Sequence, residues 1–409
     1  MSINPIAEEY VKLVLALGLH DADYVDAYLG PDEWKAEAEE RALSVAQVGA
    51  RAGELRAELV AVGPGSDELE ELDAQRHRAL VRMFESLVAR TQMLSAEQLS
   101  FDEESMALYD AQAPTRGAGE FQAALDELDE RLPGDGSLSD RLNEFKKDFI
   151  IPTDELDAVF RAAVDACRDK TLAKMELPAD ESFVIEYVTD KSWSGYNWYK
   201  GDYHSLIQVN TDLPIYIDRA LDLACHEGYP GHHVYNLLIE RELVDERGWA
   251  EFLVYPLFSP RSLIAEGSAN FGIEVAFPGD ERLRFEREEL FPLAGLDPAR
   301  AEEFYEIQEL AAKLAYSGNE AARGYLDGTM SAEEAIEWMA TYSLSSRARA
   351  EQRLRFVEQY RSYVINYNLG LDLVRSYIER NGGTADDPET RWQLFTDLLS
   401  KPYLPSDLK

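Results

Sequence analysis

Residues 67–94 read DELEELDAQRHRALVRMFESLVARTQML, with apolar residues recurring three and four positions apart between charged ones. This spacing is the period of one face of an amphipathic helix. The same period runs through most of the 409 residues, and helix starts are marked by patterns such as the capping box of Ser331 and Glu334. The sequence therefore predicts an all-α protein built mostly from long helices.

Two short segments break the helical period. Residues 182–189 (SFVIEYVT) and 205–210 (SLIQVN) are rich in β-branched and aromatic residues, and the segment between them is rich in turn residues. They predict a small antiparallel β pair. We expect one helical domain over residues 1–409 with two lobes, and a lobe boundary near the Pro- and Gly-containing stretch 133–140.

The composition excludes several classes of protein. The chain has 40 basic and 78 acidic residues, a formal net charge of −38, and 45% hydrophobic residues. A chain this apolar can build a large core, while its charge disfavours nucleic-acid partners. No apolar run is long enough for a membrane helix, and the two cysteines with no basic leader segment favour a cytoplasmic protein. A homodimer is compatible with all of this.

Three of the six histidines fall in residues 226–233, HEGYPGHH. Zinc chemistry needs neutral imidazoles on a rigid element and a carboxylate able to take a proton from water. His226 is the expected first ligand and Glu227 the expected general base. The usual second-ligand position, four residues on, is Pro230, so the helix should bulge or break there. We expect the break to bring His232 to the metal, with His233 as the alternative.

A third ligand should come from another helix. Residues 264–274, IAEGSANFGIE, place three polar side chains at i, i+4 and i+8, which is one helical face. We expect Glu266 to bind the metal, and Asn270 and Glu274 to orient the histidines by accepting their free ring N–H groups. Two imidazoles and one carboxylate predict one divalent metal per chain, zinc, with its site within residues 200–280.

The residues quoted so far resemble a bacterial family, the domain of unknown function 885. HEGYPGHH resembles its hallmark, and so do residues 10–34, the VNT of 209–211, the EGSANFGIE of 266–274 and the NYNLG of 366–370. The resemblance covers nearly the whole chain. That family is similar in fold to the thermostable Taq-type zinc carboxypeptidases, so the resemblance implies a gluzincin-like helical metallopeptidase with a deep cleft.

The expected activity is hydrolysis of short peptides by a metal-activated water, in the manner of a carboxypeptidase. Candidates for stabilising the oxyanion or holding a substrate carboxylate are Tyr363, Tyr367 and Arg361. We expect His204 and Asn210 to contact substrate, and residues 205–210 to pair with it as an added strand. Two alternatives stay open: a non-catalytic binding or scaffold protein with a structural or lost metal, and a hydrolase of non-peptide amides.

Overall fold

Helices dominate the computed structural model, which describes residues 3–63, 71–96, 98–191 and 193–409. The first four residues of the stretch 67–94 lie outside the described residues, and its helix is described from Glu71. The predicted capping box is present: the Glu334 N–H donates to Ser331 Oγ (3.3 Å) and the Ser331 N–H to Glu334 Oε2 (2.8 Å). The prediction of a mostly helical fold is confirmed.

The elements follow one another in three groups. From the N-terminus, the helices are α1 (Asn4–Gly18), α2 (Asp32–Arg41), α3 (Val45–Val62), α4 (Glu71–Leu94), α5 (Phe101–Tyr109), α6 (Ala118–Arg131), α7 (Leu138–Lys146) and α8 (Leu156–Leu172). The central helices are α9 (Ile217–Leu223), α10 (His232–Ile239), α11 (Pro260–Ala276), α12 (Glu281–Phe285) and α13 (Phe291–Leu293). The C-terminal helices are α14 (Ala301–Ala312), α15 (Ser317–Leu326), α16 (Ala332–Tyr342), α17 (Arg347–Tyr360), α18 (Ile365–Arg380) and α19 (Pro388–Ser400). The strands are β1 (Val25–Tyr28), β2 (Ser182–Val188), β3 (Gly195–Gly201), β4 (His204–Asn210) and β5 (Val254–Pro256).

The predicted antiparallel pair is wrong in its pairing. Strands β2 and β4 are neighbours, but they run parallel, and β3 lies antiparallel on the other side of β4. The segment expected to be a turn supplies this third strand, which gives the reversal in direction that lets β2 and β4 run the same way. Strand β4 is therefore central in the sheet, and its two edges are already paired.

Helix α11 lies between two hydrophobic cores. Its Leu263 belongs to the core built largely by the N-terminal helices, and its Phe271 to the core around α8, α10 and α19. A helix buried on nearly all sides must approach its neighbours closely. It meets α18 where Gly267 lies against Gly370: a Cβ atom on Gly267 would be 2.5 Å from the carbonyl carbon of Gly370.

Among the described residues, no helix is both long and apolar enough to cross a membrane. The two-lobed organisation with a boundary near 133–140 stays a prediction.

Candidate metal centre and substrate cavity

The histidine motif lies where one helix ends and another begins. Helix α9 continues into a π-helical turn, Ala224–Gly228, the chain is extended at Tyr229, and α10 starts at His232. The Tyr229–Pro230 peptide bond is cis. Because Pro230 cannot continue a helical hydrogen-bond ladder, the helix breaks here, as the sequence predicts.

Gly231 lets the chain turn back over the end of the first helix. A Cβ atom at this position would lie 1.9 Å from the carbonyl oxygen of His226 and 2.3 Å from that of Cys225. No residue with a side chain fits such a close approach. The turn brings His232 Nε2 to 3.1 Å from His226 Nε2.

Helix α11 adds Glu266 to this pair. Its Oε2 lies 3.4 Å from His226 Nε2 and 3.7 Å from His232 Nε2, and one ligand atom from each of the three residues lies within 4.8 Å of the others. Its Oε1 accepts a hydrogen bond from the Tyr363 hydroxyl (2.9 Å). The buried Oε2 atom accepts no hydrogen bond from any described residue. A buried carboxylate oxygen facing two imidazole nitrogens is the arrangement a divalent cation would satisfy.

The electrostatics of these three residues also favour positive charge. Burial lowers the pKa of His226, but the close contact with Glu266 and the charges of Glu227 and Glu266 outweigh it and raise that pKa to about 9. Burial raises the pKa of Glu266, but the two neighbouring histidines outweigh this effect and hold the pKa well below its usual range. Without a metal, the site therefore holds a proton.

Glu227 is a second carboxylate beside the triad of His226, His232 and Glu266. Its Oε1 lies 4.0 Å from His226 Nε2, its side chain lies beside Gly195 of β3, and its carbonyl oxygen accepts a hydrogen bond from Asn197 (2.7 Å). Burial raises the pKa of Glu227, while the charges of His226 and His232 oppose that rise. A buried carboxylate whose pKa is raised toward neutrality suits a general base.

Of the two residues expected to support the ligands, one lies beside a histidine. Asn270 Oδ1 lies 3.0 Å from His226 Nδ1, and its amide group donates to the carbonyl oxygen of Tyr367 (3.0 Å). This leaves His226 Nε2 to face Glu266. The expectation for Glu274 is wrong: it pairs with Arg375 of α18, because two more turns of α11 carry it past the metal site.

His233 lies on the other side of α10 from the triad. Its Nε2 is 3.0 Å from Glu181 Oε2 and its Nδ1 is 2.8 Å from Ser205 Oγ, and the ring is fully buried. Adjacent helical residues point about 100° apart, so His232 and His233 cannot both face the metal. The structure therefore places His232, and not the alternative His233, with the other candidate ligands. Burial raises the pKa of Glu181, but the bonds from His233 and its neighbours outweigh this and lower it.

A cavity of about 800 Å³ opens beside the triad. Its walls carry both aromatic rings and charges. The basic residues of the wall are Lys146, Arg219, Arg349 and Arg353, and its acidic residues are Asp26, Asp218, Asp222, Glu227 and Glu266. A cavity of this volume is large enough for a short peptide, while the depth of the expected cleft stays a prediction.

Arg353 presents a cation in the cavity wall. Its guanidinium lies 4.9 Å from the ring centre of Phe356 and 5.8 Å from that of Tyr367, and it forms no ion pair with any described carboxylate. Burial lowers its pKa. A half-buried guanidinium in a cavity wall is suited to bind a carboxylate supplied by a ligand.

The three candidates from residues 361–367 separate in space. Tyr363 and Tyr367 both line the cavity. Arg361 does not, and its expected role is wrong: its guanidinium pairs with the buried Glu104 of α5 at 2.6 Å. Glu104 also accepts the backbone N–H (3.0 Å) and hydroxyl (2.6 Å) of Ser362, so Arg361 holds the turn that carries Tyr363.

The two expected substrate contacts also differ. His204 is exposed at the start of β4, bonds to the carbonyl of Asp202 and lies outside the cavity wall, so that expectation is wrong. Asn210 lines the cavity, but its amide donates to the carbonyls of Lys191 (3.0 Å) and Trp193 (2.9 Å). Residues 205–210 cannot accept a substrate strand, since β4 is central; β3 forms the wall instead.

Three residues at this site, Arg353, Asp26 and Asn197, are not among the residues that sequence motifs indicated. Arg353 is one of several arginines in residues 347–361, and Asp26 lies two hundred residues before the histidine motif. The only local signal is that Arg353, Phe356 and Tyr360 share one helical face.

No model of a protein family matches the chain, so the resemblance to the domain of unknown function 885 is not confirmed. No curated protein sequence matches it either. A solved structure from Colwellia psychrerythraea, provisionally named a lipoprotein, is 15% identical with a TM-score of 0.55, covering 91% of this chain and 70% of that one.

Two further structures align less closely. A Shewanella oneidensis protein of unknown function, also provisionally named a lipoprotein, is 14% identical with a TM-score of 0.42, covering 89% of this chain and 75% of its own. Trypanosoma cruzi metallocarboxypeptidase 1 is 17% identical with a TM-score of 0.49, covering 97% and 89%. Similarity at these two scores carries no inference about activity. The chain shares its fold with the Colwellia protein.

Proposed function

We propose that the protein is a zinc-dependent peptidase that removes residues from the carboxyl end of short peptides. The observation that carries this is the convergence of His226, His232 and Glu266, with a carboxylate oxygen left without a donor, beside the buried Glu227. Two imidazoles and one carboxylate form a ligand set that suits zinc and leaves a position open for chemistry.

A bound zinc ion would supply a Lewis acid that polarises the peptide carbonyl and lowers the pKa of an attacking water. Glu227 takes the proton from that water and passes it to the departing amine. Tyr363, whose pKa burial raises well above its usual value, stays protonated and holds Glu266 in place. Tyr367, whose pKa burial also raises, remains a donor for the oxyanion.

Arg353 favours a carboxypeptidase over an endopeptidase. It has no ion-pair partner among the described residues and shares the cavity wall with the triad. A peptide's terminal carboxylate would form a charge-assisted bidentate bond with its guanidinium. The volume of the cavity, about 800 Å³, favours short substrates, because a folded protein would have to lose structure to enter it.

The test compares zinc-loaded wild type with Glu227→Gln on matched short peptides, with Glu246→Gln as an exposed control. Glu227→Gln should keep its zinc and lose about two to four orders of magnitude in turnover, because an amide cannot take the proton. Glu246→Gln should match wild type.

The same experiment separates the alternatives. A wild type that holds zinc but cleaves no peptide would favour the scaffold function. Cleavage of an aryl amide but of no peptide would favour the non-peptide hydrolase. Full turnover by zinc-loaded Glu227→Gln would refute Glu227 as the base.

A further inference from the structure

Asp26 is a carboxylate that the proposed mechanism does not use. It lies in β1, lines the cavity, and accepts a hydrogen bond from the Tyr196 hydroxyl. It forms no ion pair with any cation that the structure describes, although the charge of Arg261 is near enough to oppose the rise in its pKa that burial causes. A carboxylate in a cavity wall that has a hydrogen bond but no ion pair gains from a cationic ligand.

A β-bulge presents this side chain to the cavity. In the β1–β5 pair, Val25 is opposite Pro256 and Ala27 is opposite Tyr255, so Asp26 is the extra residue without a partner. Bulges often turn a side chain toward a functional site. Asp26 also lies within electrostatic range of His232 and Glu266, which places it at the metal end of the cavity.

Three tyrosines share the cavity wall with this carboxylate. Burial raises the pKa of the Tyr196, Tyr255 and Tyr360 hydroxyls, and the negative charge of Asp26 adds to each rise. A carboxylate in a wall that also carries tyrosine hydroxyls is suited to a primary ammonium, which gains an ion pair and has further N–H groups to donate to the hydroxyl oxygens.

We propose that Asp26, with Tyr196, Tyr255 and Tyr360, forms a subsite for a primary ammonium group of the substrate, either the α-amine of a short peptide or a lysine side chain. This inference rests on the proposed function, and it adds a second charge requirement to that of Arg353 in the wall of the same cavity. The substrate class becomes short peptides that carry both a free carboxylate and a nearby ammonium.

The dimensions of α17 limit the length of such a peptide. Arg353 and Tyr360 lie seven residues apart on one face of this helix, which is roughly 10.5 Å along its axis. An extended peptide spans at most about 3.3–3.6 Å per residue, so about three residues cover that distance. A peptide of about three residues therefore spans the distance from Arg353 to Tyr360 of the subsite.

The experiment measures kcat/KM of zinc-loaded protein on a tripeptide, its N-acetyl derivative, and an N-acetyl tripeptide containing lysine. Asp26→Asn should lower kcat/KM for the ammonium-bearing substrate by roughly 10- to 100-fold, and for the neutral acetylated one by less than about threefold. Loss confined to the free-amine peptide identifies the α-amine, and loss confined to the lysine peptide identifies the side chain; either supports the subsite.

Asp23→Asn is the matched control, since it removes the same charge from a residue outside the cavity wall. It should leave all three substrates unchanged. Asp26→Glu keeps the charge and should keep most of the preference for ammonium-bearing substrates. This variant keeps the test valid if Asp26→Asn does not fold. Equal losses on all substrates with Asp26→Asn, or no loss on any, would overturn the proposal.

A binding measurement separates this inference from the proposed function. Calorimetry on zinc-loaded Glu227→Gln compares the free-amine, N-acetyl and lysine peptides without turnover. If the wild type cleaves nothing but an ammonium-bearing peptide still binds at least tenfold more tightly in an Asp26-dependent way, the subsite stands and the peptidase does not. If the wild type cleaves peptides but shows no Asp26-dependent preference for either ammonium, the subsite is refuted and the proposed peptidase activity stands.

Discussion

Replacing Gly267 with alanine should push apart the two helices that carry Glu266 and Tyr367. The new methyl would lie 2.5 Å from both the carbonyl carbon and the oxygen of Gly370, where ordinary contacts begin at 3.4 Å. Both neighbours are backbone atoms, so α11 and α18 must separate by about 0.9 Å. Overpacking of this kind costs about 1–3 kcal/mol of unfolding free energy, more than the gain from alanine's helix propensity. The shift also moves Glu266, so zinc affinity should fall.

Urea denaturation of metal-free protein measures the first effect and a chelator competition the second. Gly119→Ala is the matched control: the residue is exposed in α6, and a Cβ atom there meets nothing within 4 Å. It should leave stability unchanged or raise it by up to about 1 kcal/mol. If Gly267→Ala unfolds at the same urea concentration as this control and binds zinc as wild type does, the close approach of the two helices is not as described.

Three further outcomes are expected. Because the pKa of His226 is about 9 in the metal-free protein, zinc must displace a proton from this residue at any lower pH. The apparent affinity of the protein for zinc in a chelator competition should therefore rise about tenfold per pH unit from 6.5 to 9. An affinity that does not change with pH would contradict this. Arg353→Met should raise KM roughly tenfold for peptides with a free carboxylate and leave amidated peptides unaffected, which steady-state kinetics on the two series would check. His233→Asn should weaken zinc binding by about 10- to 100-fold in the same competition, because the Glu181–His233–Ser205 contacts hold the first turn of α10; unchanged affinity in a folded variant would refute that role.

Local patterns in the sequence predicted the helices and indicated the three residues of the triad. His226 and His232 stand six residues apart around a proline that must break a helix, and Glu266 begins a helical face of polar residues. Each of these signals lies within a dozen residues, so periodicity and backbone chemistry suffice to find it.

The positions of the other candidate side chains depend on ion-pair partners from distant parts of the chain. Whether Arg361 or Arg353 faces the cavity depends on Glu104, more than two hundred residues upstream. Glu274, two turns of α11 beyond Glu266, pairs with Arg375 of α18. No local pattern encodes either pairing.

The prediction of a two-stranded antiparallel sheet was wrong for a related reason. Residues 195–201, GYNWYKG, contain glycine, asparagine and lysine, which favour turns and weaken strands, yet they form β3. Their strand conformation depends on packing against β4 and α10, which is tertiary context.

The most direct test of the metal centre is an anomalous-difference map from a crystal of the zinc-loaded protein, collected at the zinc absorption edge. We predict one strong peak per chain, bonded to Nε2 of His226, Nε2 of His232 and the carboxylate of Glu266. A peak at His233 and Glu181, or a protein that retains no zinc at this site, would contradict the account.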